Sequence, residues 1–313
     1  MDQLLISLLN GAIYGLLLFM VSAGLTLIFG MMGVLNFAHA SFYMLGAYFA
    51  YTLQSVVGFW AAVALSPVLV GLVGVVVERF FLRRVHHHGH AHELLLTFGL
   101  SFIIAELVKL FYGNFPVNYR IPASLDFSAF SLGGAQYPVY RVLMGGVAIV
   151  MFIAIWLLLT RTRVGIVVRS AIYRPRMAEA LGHNVPLVFM GVFGVGAAMA
   201  GLAGAVAGAF YTTNPNMALE LGVMVFVVVV VGGLGSLGGA MAASLLIGVI
   251  TSLAVSVDAS LADLLAPFGG RAWAEGVGGL LTLKLSSLSA TLPFALMLLI
   301  LLVRPRGLLG EKA

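Results

Sequence analysis

Three short stretches of the sequence combine residue types that could do chemistry. The segment 86–92 reads HHHGHAH, and imidazoles at this spacing can bind a divalent metal ion. The segment 233–238 reads GLGSLG, which satisfies the G-x-G-x-x-G pattern of a dinucleotide-binding turn. Asn36 and His39 flank two residues at the start of an apolar run, where polar side chains are costly and usually face an interior or a solute path. Metal binding, nucleotide binding and solute passage are therefore the three chemistries to weigh.

The histidine cluster favours a solvated loop over a metal centre. It lies between Arg84 and Glu93, without the cysteine or fixed carboxylate partners that complete a structured metal site. We therefore predict no metal-ligating residues.

The glycine cluster is a poor match to a nucleotide site. Residues 239–257 carry no charge, whereas the helix after a dinucleotide-binding turn must present a polar face to water. No lysine follows a glycine, so the chain has no P-loop, and it lacks H-E-x-x-H and G-x-S-x-G motifs. We therefore expect no catalytic residues, no enzyme activity and no cofactor on this chain. In a membrane, glycines at this density let helices approach closely or break a helix at a cavity.

A charged segment, RSAIYRPRMAEALGHNVP at 169–186, interrupts an otherwise apolar chain. Pro175 suits the first turn of a helix, and Gly182 is placed to end that helix in a left-handed conformation. A helix of about two turns is too short to be stable alone, so something must pack on it. Two interpretations stay open here: an ordinary arginine-rich loop, or a docking helix for a partner. Three residues could share its apolar face: Met177, Ala178 and Leu181.

The amino-acid composition indicates that the elements carrying these segments lie in a membrane. The chain has 313 residues, of which 62% are hydrophobic and 9% charged, with mean hydropathy +1.12. Soluble domains carry about 25% charged residues, so most of this surface cannot meet water. There is no cysteine, which excludes disulfides. The net charge of +5 comes from sparse basic residues beside apolar runs, a pattern of membrane orientation rather than of nucleic-acid binding.

Apolar runs of about 20 residues predict membrane-spanning helices. We predict an all-α polytopic membrane protein of about eight to nine transmembrane helices, with discontinuous or re-entrant segments near 30–40 and 219–240. The whole chain, 1–313, forms a single transmembrane domain in this interpretation. Small residues at every fourth position from Gly196 to Gly208 predict a helix-packing face. The candidate spans are 4–29, 37–57, 59–82, 93–112, 140–160, 186–210, 219–232, 238–257 and 286–303, the seventh and eighth being the least secure.

The distribution of Lys and Arg predicts the orientation. With an outer N-terminus and alternating spans, most of the 16 basic residues fall on the inner side, together with the loop 161–186 and the C-terminus. The inner side receives Arg79, Arg83, Arg84, Arg161, Arg163, Arg169, Arg174, Arg176, Arg304, Arg306 and Lys312, and the outer side receives Lys109, Arg120, Arg141, Arg271 and Lys284.

Four blocks of sequence resemble one known family. GIVVRSAIYRPRMAEALG at 165–182 resembles the coupling loop of permease subunits in bacterial ABC importers of the branched-chain amino-acid type. Its Ala-x-x-Leu-Gly ending is matched by Ala178, Leu181 and Gly182. The other blocks, in order, are GLTLIFGMMGVLNFAHASFYMLGAY at 24–48, VVVVVGGLGSLGGA at 227–240 and RPRGLLG at 304–310. Together they extend over nearly the whole chain.

The resemblance implies a function and a set of partners. It implies a multi-pass permease of the bacterial cell inner membrane that moves branched-chain amino acids or a related small polar solute inward by alternating access. Its implied partners are a second related permease, a periplasmic substrate-binding protein and two cytoplasmic subunits that bind the ATP. The ATPase-coupling residues would be Arg174, Ala178, Glu179, Leu181 and Gly182 within 161–186, and the translocation-pathway residues Asn36, His39, Gly233, Gly235 and Ser236.

The sequence leaves two alternatives open. The first alternative is a permease of the same family that carries urea or short amides, as related permeases do. It stays open because many relatives carry Gly and an acidic residue after the histidine, whereas this chain has Ala40 and Ser41. The second alternative is an ion-coupled transporter or channel that works without ATP. Such proteins usually need membrane-embedded acidic residues, and here Glu106 and Glu220 are nearly all there are.

Overall fold

The structure, a computed structural model, describes residues 2–132, 135–256 and 260–310, so Lys312 lies outside the described residues. Its first half contains α1 (Asp2–Met32), α2 (His39–Val57), α3 (Phe59–Val77), α4 (Arg83–Val85), α5 (His90–Tyr112), β1 (Ser128–Leu132) and β2 (Ala135–Pro138). There follow α6 (Val139–Arg161), α7 (Arg163–Tyr173), α8 (Pro175–Ala180), α9 (Val185–Ala207), α10 (Met217–Gly232) and α11 (Leu237–Ser256). The chain continues with α12 (Leu261–Leu265), α13 (Arg271–Val277) and α14 (Leu292–Val303).

The long helices confirm an all-α polytopic membrane fold. Six of the described helices are long and apolar enough to cross a membrane: Leu4–Met32, Phe59–His88, His90–Tyr112, Val139–Arg161, Val185–Ala207 and Leu237–Ser256. Two shorter apolar helices, α10 and α14, and the largely buried α2 correspond to the other three predicted spans.

Glycine lets the central helices pack backbone to backbone. A side chain at Gly248 of α11 would collide with the carbonyl oxygen of Gly11 on α1, and one at Gly204 of α9 would collide with that of Tyr43 on α2. The predicted stripe on α9 is buried at Gly196, Gly204 and Gly208. The helices of this central layer therefore approach more closely than any larger residue would allow.

Two helix breaks lie where the sequence predicts discontinuity. Residues 33–38 separate α1 from α2, and residues 233–236 separate α10 from α11; Gly33 and Gly233 have φ angles of +67° and +100°. α2 does not begin level with the end of α1. His39 hydrogen-bonds through Nε2 to the carbonyl oxygen of Val21, eleven residues before Met32. The first break therefore folds back along α1, so that α2 starts inside the bundle.

The segment 161–186 contains more structure than expected. The sequence predicts one short helix in a loop, whereas the structure has α7 and α8 in succession. The Thr162 hydroxyl accepts a hydrogen bond from the Gly165 amide at 3.2 Å and caps α7. Short helix-forming stretches take this form only when tertiary packing supports them.

The opposite end of the bundle carries small elements. Strands β1 and β2 form an antiparallel hairpin in which Phe130 lies opposite Tyr137. Two short helices, α12 and α13, precede α14.

Candidate functional site

A cavity of about 240 Å³ lies where α2 starts, between α5 and α10. Phe37 stacks on Phe226 with ring centroids 6.1 Å apart and meets Phe98 edge-on at 6.4 Å. Among the described residues that line it, none carries a formal charge at neutral pH. The lining is mostly apolar and consists of Leu25, Leu35, Asn36, Phe37, His39, Ala40, Ser41, Phe98, Ser101, Phe102, Ala105, Ala218, Leu219, Gly222, Val223, Val225 and Phe226.

Asn36 and His39, both predicted pathway residues, line this cavity and are almost completely buried, at 2% and 1% exposure. The Oδ1 atom of Asn36 accepts from the Ala38 amide at 3.0 Å. Among the described atoms, Asn36 Nδ2 and His39 Nδ1 have no hydrogen-bond partner. A buried polar atom without a partner costs free energy, so this pair of nitrogens needs an explanation.

Sequence reasoning missed the residues on α5 that complete the cavity. The Thr97 hydroxyl accepts a hydrogen bond from the Phe37 amide at 3.2 Å and so holds the break against α5. Phe98 and Phe102 pack edge to face, with ring centroids 5.0 Å apart. Their i, i+4 spacing marks one helix face, but nothing in the sequence says that this face meets α2.

The other predicted pathway residues, Gly233, Gly235 and Ser236, do not line this cavity. Gly235 and Ser236 border a second cavity of about 260 Å³, which Gly30 and Arg169 also line. Ser236 accepts from the Gly239 amide through Oγ at 3.1 Å and caps α11. The five predicted pathway residues therefore fall into two separate groups.

The C-terminal block packs on the second break. The Leu308 amide donates to the Val231 carbonyl oxygen at 2.8 Å, and the Leu309 amide donates to that of Gly232 at 3.1 Å. Gly233 and Gly310 lie so close that a side chain at Gly233 would meet the Gly310 backbone at 2.6 Å. The 304–310 block thus satisfies carbonyl groups at the end of α10.

The predicted short helix, α8, has both of the predicted boundary signals, one at its start and one after its end. Pro175 lies in the first turn of α8, and Gly182 has a φ of +86°. The Gly182 amide donates to the Glu179 carbonyl oxygen at 2.9 Å, and the His183 amide donates to that of Ala178 at 3.0 Å. This is the Schellman pattern, which confirms the predicted glycine stop.

The faces of α8 differ from the expectation. Ala178 is 1% exposed and packs with Ala171 and Val185, whereas Met177 and Leu181 are 58% and 75% exposed. The expectation that all three share one face is wrong, because Ala178 attaches α8 to α7 and α9. Two other predicted coupling residues, Arg174 and Glu179, are exposed.

A third cavity, of about 240 Å³, joins α8 to the ends of α1 and α3. It is lined by Glu179 of the coupling segment, Met32 of α1, Glu78 just after α3, and Arg83. Arg83 forms an ion pair with Glu78 at 3.0 Å and donates to the Pro186 carbonyl oxygen at 2.9 Å. The short helix therefore borders the same cavity as the ends of α1 and α3, and Arg83 links the end of the α3 segment to the start of α9 beside it.

The histidine cluster has a carboxylate partner that the sequence analysis did not foresee. Glu93 is 2% exposed; its carboxylate contacts His86 Nδ1 and lies 3.2 Å from His90 Nδ1. Within the described ranges, no group of three or more His, Cys, Asp or Glu residues is arranged to hold a metal ion. The cluster is thus tied to α5 instead of forming a free loop.

Comparisons with known proteins agree with this architecture. The family model described as "Branched-chain amino acid transport system / permease component" matches residues 7–301. The high-affinity branched-chain amino acid transport system permease protein BraD of Pseudomonas aeruginosa is 27% identical, over 97% of this chain and 95% of the relative. The corresponding LivH of Escherichia coli is 27% identical, over 96% and 94%.

A third relative comes from Methanocaldococcus jannaschii. Its probable branched-chain amino acid transport permease protein LivH is 28% identical, over 97% of this chain and 92% of the relative. The solved structure "PsaBC from Streptococcus pneumoniae in complex with Fab" superposes with a TM-score of 0.45 and 12% identity, over 95% and 91% of the two chains. That similarity is too low to support an argument.

Proposed function

The chain belongs to the branched-chain amino acid transport system permease family, and from that premise we propose that it is the transmembrane permease subunit of an ABC importer. The substrate is a branched-chain amino acid or a related small polar solute, which moves inward by alternating access. The ATP is bound and hydrolysed by partner subunits.

The observation that carries the proposal is the construction of α8. A buried alanine attaches it to its neighbours, a Schellman motif fixes its end, and the apolar side chains of Met177 and Leu181 face outward. Exposed apolar residues on a short, stiff, projecting helix suit docking into a groove of another protein. The exposed Arg174 and Glu179 would give that contact its polar rim.

Contacts inside the chain supply a route from α8 to the solute cavity. Displacement of α8 acts on α9 through Ala178 and on the end of α3 through Arg83 and Pro186. α9 packs on α2 without a gap at Gly204, so movement of α9 shifts the start of α2 at the first cavity. The pathway residues Asn36 and His39 then move with the start of α2. The second break, which contains Gly233, Gly235 and Ser236, changes its conformation at the same time.

The proposal includes an assembly and an orientation. Two cytoplasmic ATP-binding subunits, a second related permease and a periplasmic substrate-binding protein complete the importer. The chain forms one transmembrane domain of the bacterial inner membrane, with α8 and the C-terminus in the cytoplasm and the N-terminus in the periplasm. The basic residues near α8 support this orientation.

The ion-coupled alternative has weaker support. Glu106 forms an ion pair with Lys109 at 2.7 Å, and its side chain is 68% exposed. Neither Glu106 nor Glu220 lines the cavity at α2. An ion-coupled carrier needs its acidic residue beside the solute.

Two substitutions in α8 test the function. We expect Glu179→Arg and Gly182→Trp to abolish ATP-dependent uptake in proteoliposomes and co-purification of the ATPases, with membrane insertion unchanged. Gly58→Trp is the matched control, because Gly58 also has a positive φ, of +82°, with nothing near its Cβ position, but lies between α2 and α3. Retained co-purification and ATP-dependent transport in both α8 variants would refute the proposal.

A further inference from the structure

The C-terminal block, residues 304–310, contacts the second break mainly through its backbone. The amides of Leu308 and Leu309 donate to the end of α10 at 2.8 and 3.1 Å. Gly307 has a φ of +77°, and a side chain there would meet the Gly233 backbone at 2.5 Å. Leu308 packs against the apolar cluster around α10, whereas Leu309 is 57% exposed. The contact is therefore close, but little buried apolar surface holds it, and such contacts open at low cost.

Water can replace the hydrogen bonds of this contact when it opens. Leu234, beside the break, is 44% exposed, and Arg306 of the block is also exposed. Backbone groups that reach water exchange a hydrogen bond within the protein for one to the solvent, at a small net cost. Opening the contact therefore leaves no carbonyl oxygen buried without a donor.

The second cavity, of about 260 Å³, gives the break room to move. It borders the break at residues 234–237, and none of the described residues 304–310 lines it. Gly233 and Gly235 have φ angles of +100° and +85°, so the backbone between α10 and α11 uses conformations that glycine adopts most readily. The break thus has space on one side and a weakly held contact on another.

The coupling segment reaches the same cavity through α7. Ala178 of α8 packs with Ala171 of α7. Arg169, also on α7, lines the second cavity together with Gly30 of α1 and Gly235 of the break. Displacement of α8 therefore moves α7 at the wall of the cavity that the break borders.

We propose that the C-terminal block acts as a latch on the second break: it holds the end of α10 in the conformation described here and separates from it when the ATPases close and α8 moves α7. The end of α10 then moves into the second cavity. A block that only completes the fold would stay bound in every state. This inference rests on the proposed function and adds a conformational step to it.

A cross-link across the contact tests whether it must open. The chain contains no cysteine, so a cysteine pair can be introduced at this place alone. A Cβ atom at Gly238, in the first turn of α11, would lie 3.9 Å from Leu309 Cδ1. The variant Gly238→Cys/Leu309→Cys is joined by a short, reducible bis-methanethiosulfonate in the complete importer in proteoliposomes. We expect ATP-dependent uptake to fall at least about tenfold, to recover after reduction, and the ATPases to stay bound.

The hairpin supplies a matched control. Ser131 and Gln136 are exposed partners on β1 and β2, so Ser131→Cys/Gln136→Cys takes the same reagent within one small element. We expect this cross-link to leave uptake unchanged. The single variants Gly238→Cys and Leu309→Cys, treated in the same way, measure the effect of the modification without a cross-link.

Amide hydrogen exchange, read by mass spectrometry, detects the opening without a cross-link. We expect the amides of Leu308 and Leu309 to exchange at least about tenfold faster when vanadate traps the closed ATPases than without nucleotide. Gly307→Ala should show the faster exchange without nucleotide, because its side chain collides with Gly233. Gly269→Ala is the control, since Gly269 also has a positive φ, of +71°, with nothing within 4 Å of its Cβ position.

The outcomes distinguish this inference from the function on which it rests. Undiminished uptake by the cross-linked complex, or equal exchange in both nucleotide states, overturns the latch and leaves the permease proposal standing. Loss of the ATPases on cross-linking also overturns the latch, because the block would then serve assembly. Failure of the reagent to join the two cysteines would contradict the contact itself. If the unmodified chain retains no ATPase, the permease proposal is overturned and the latch with it.

Discussion

The guanidinium of Arg83 donates to the backbone carbonyl oxygen of Pro186 at 2.9 Å and so links the end of the α3 segment to the first turn of α9. The same guanidinium forms an ion pair with Glu78, whose side chain is 3% exposed. One side chain therefore neutralises a buried acid and joins two spans beside the coupling segment.

Loss of Arg83 should destabilise the protein because it leaves that acid unpaired. We expect Arg83→Met to lower the free energy of unfolding by roughly 2 kcal/mol, between the values for exposed and for buried pairs, since Arg83 is itself partly exposed. Chemical unfolding in detergent micelles measures the change. The double variant Glu78→Gln/Arg83→Met should recover much of the loss, and a double variant no more stable than Arg83→Met would contradict this account.

Gly204 should tolerate no side chain. Its Cβ position overlaps the Tyr43 carbonyl oxygen on α2, so Gly204→Ala must push two central helices apart. We expect a loss of about 2 kcal/mol, in the range for overpacked cores, and a lower yield of folded protein. Gly191→Ala on the same helix is the control, because nothing lies within 4 Å of its Cβ position. Equal effects of the two substitutions would show that helix propensity, not packing, governs both sites.

The exposed apolar residue at the end of α8 should matter for assembly but not for stability. Leu181 is 75% exposed, so Leu181→Glu removes no buried contact within the chain. We expect the unfolding midpoint to change little while the ATPases no longer co-purify. Leu187→Glu is the comparison, at 57% exposure in the first turn of α9. Retention of the ATPases by Leu181→Glu would count against docking through this face.

The cap of α12 should depend on pH. Hydrogen bonds from the Ser260 amide and hydroxyl, at 2.9 and 2.8 Å, hold the pKa of the Asp263 carboxyl below its usual value, helped by the Arg271 guanidinium. A depressed folded-state pKa means that the stabilisation is present above the usual carboxyl pKa and is lost as pH falls through the folded-state value.

Amide hydrogen exchange at residues 260–265 measures that effect. We expect protection of this first turn to fall on acidification below the usual carboxyl pKa, and Asp263→Asn to remove the dependence on pH. Protection that stays constant in the wild-type protein over this range would contradict the assignment.

The sequence predicted those features that depend on residue types within a short stretch of chain: helix ends, small-residue packing faces and the lengths of the spans. The Pro175 and Gly182 signals gave the limits of α8, because capping is decided within a few residues. The small residues of α9 predicted a packing face, since close approach excludes larger side chains. Runs of apolar residues gave the spans, because the hydrocarbon thickness sets their length.

Features that depend on distant partners could not be predicted. The hydroxyl of Thr97 meets Phe37 across 60 positions, and Ala178 is buried only because α7 and α9 enclose it. Gly235 and Asn36 were both predicted as pathway residues, yet they line different cavities, because Gly235 packs against Gly30 of α1 whereas Asn36 lies at the cavity between α5 and α10. Glu93 likewise acquires its histidine partners only when the turn before α5 folds.

The contact between the 304–310 block and the second break constrains the order of folding during synthesis. The carbonyl oxygens of Val231 and Gly232 receive their amide donors from Leu308 and Leu309, which the ribosome adds only after all the intervening helices. Until then the end of α10 must rely on water or on the insertion machinery for hydrogen bonds. Maturation of this region is therefore a late event, and the nascent chain on ribosomes stalled within α14 should be cut by proteases near residue 233.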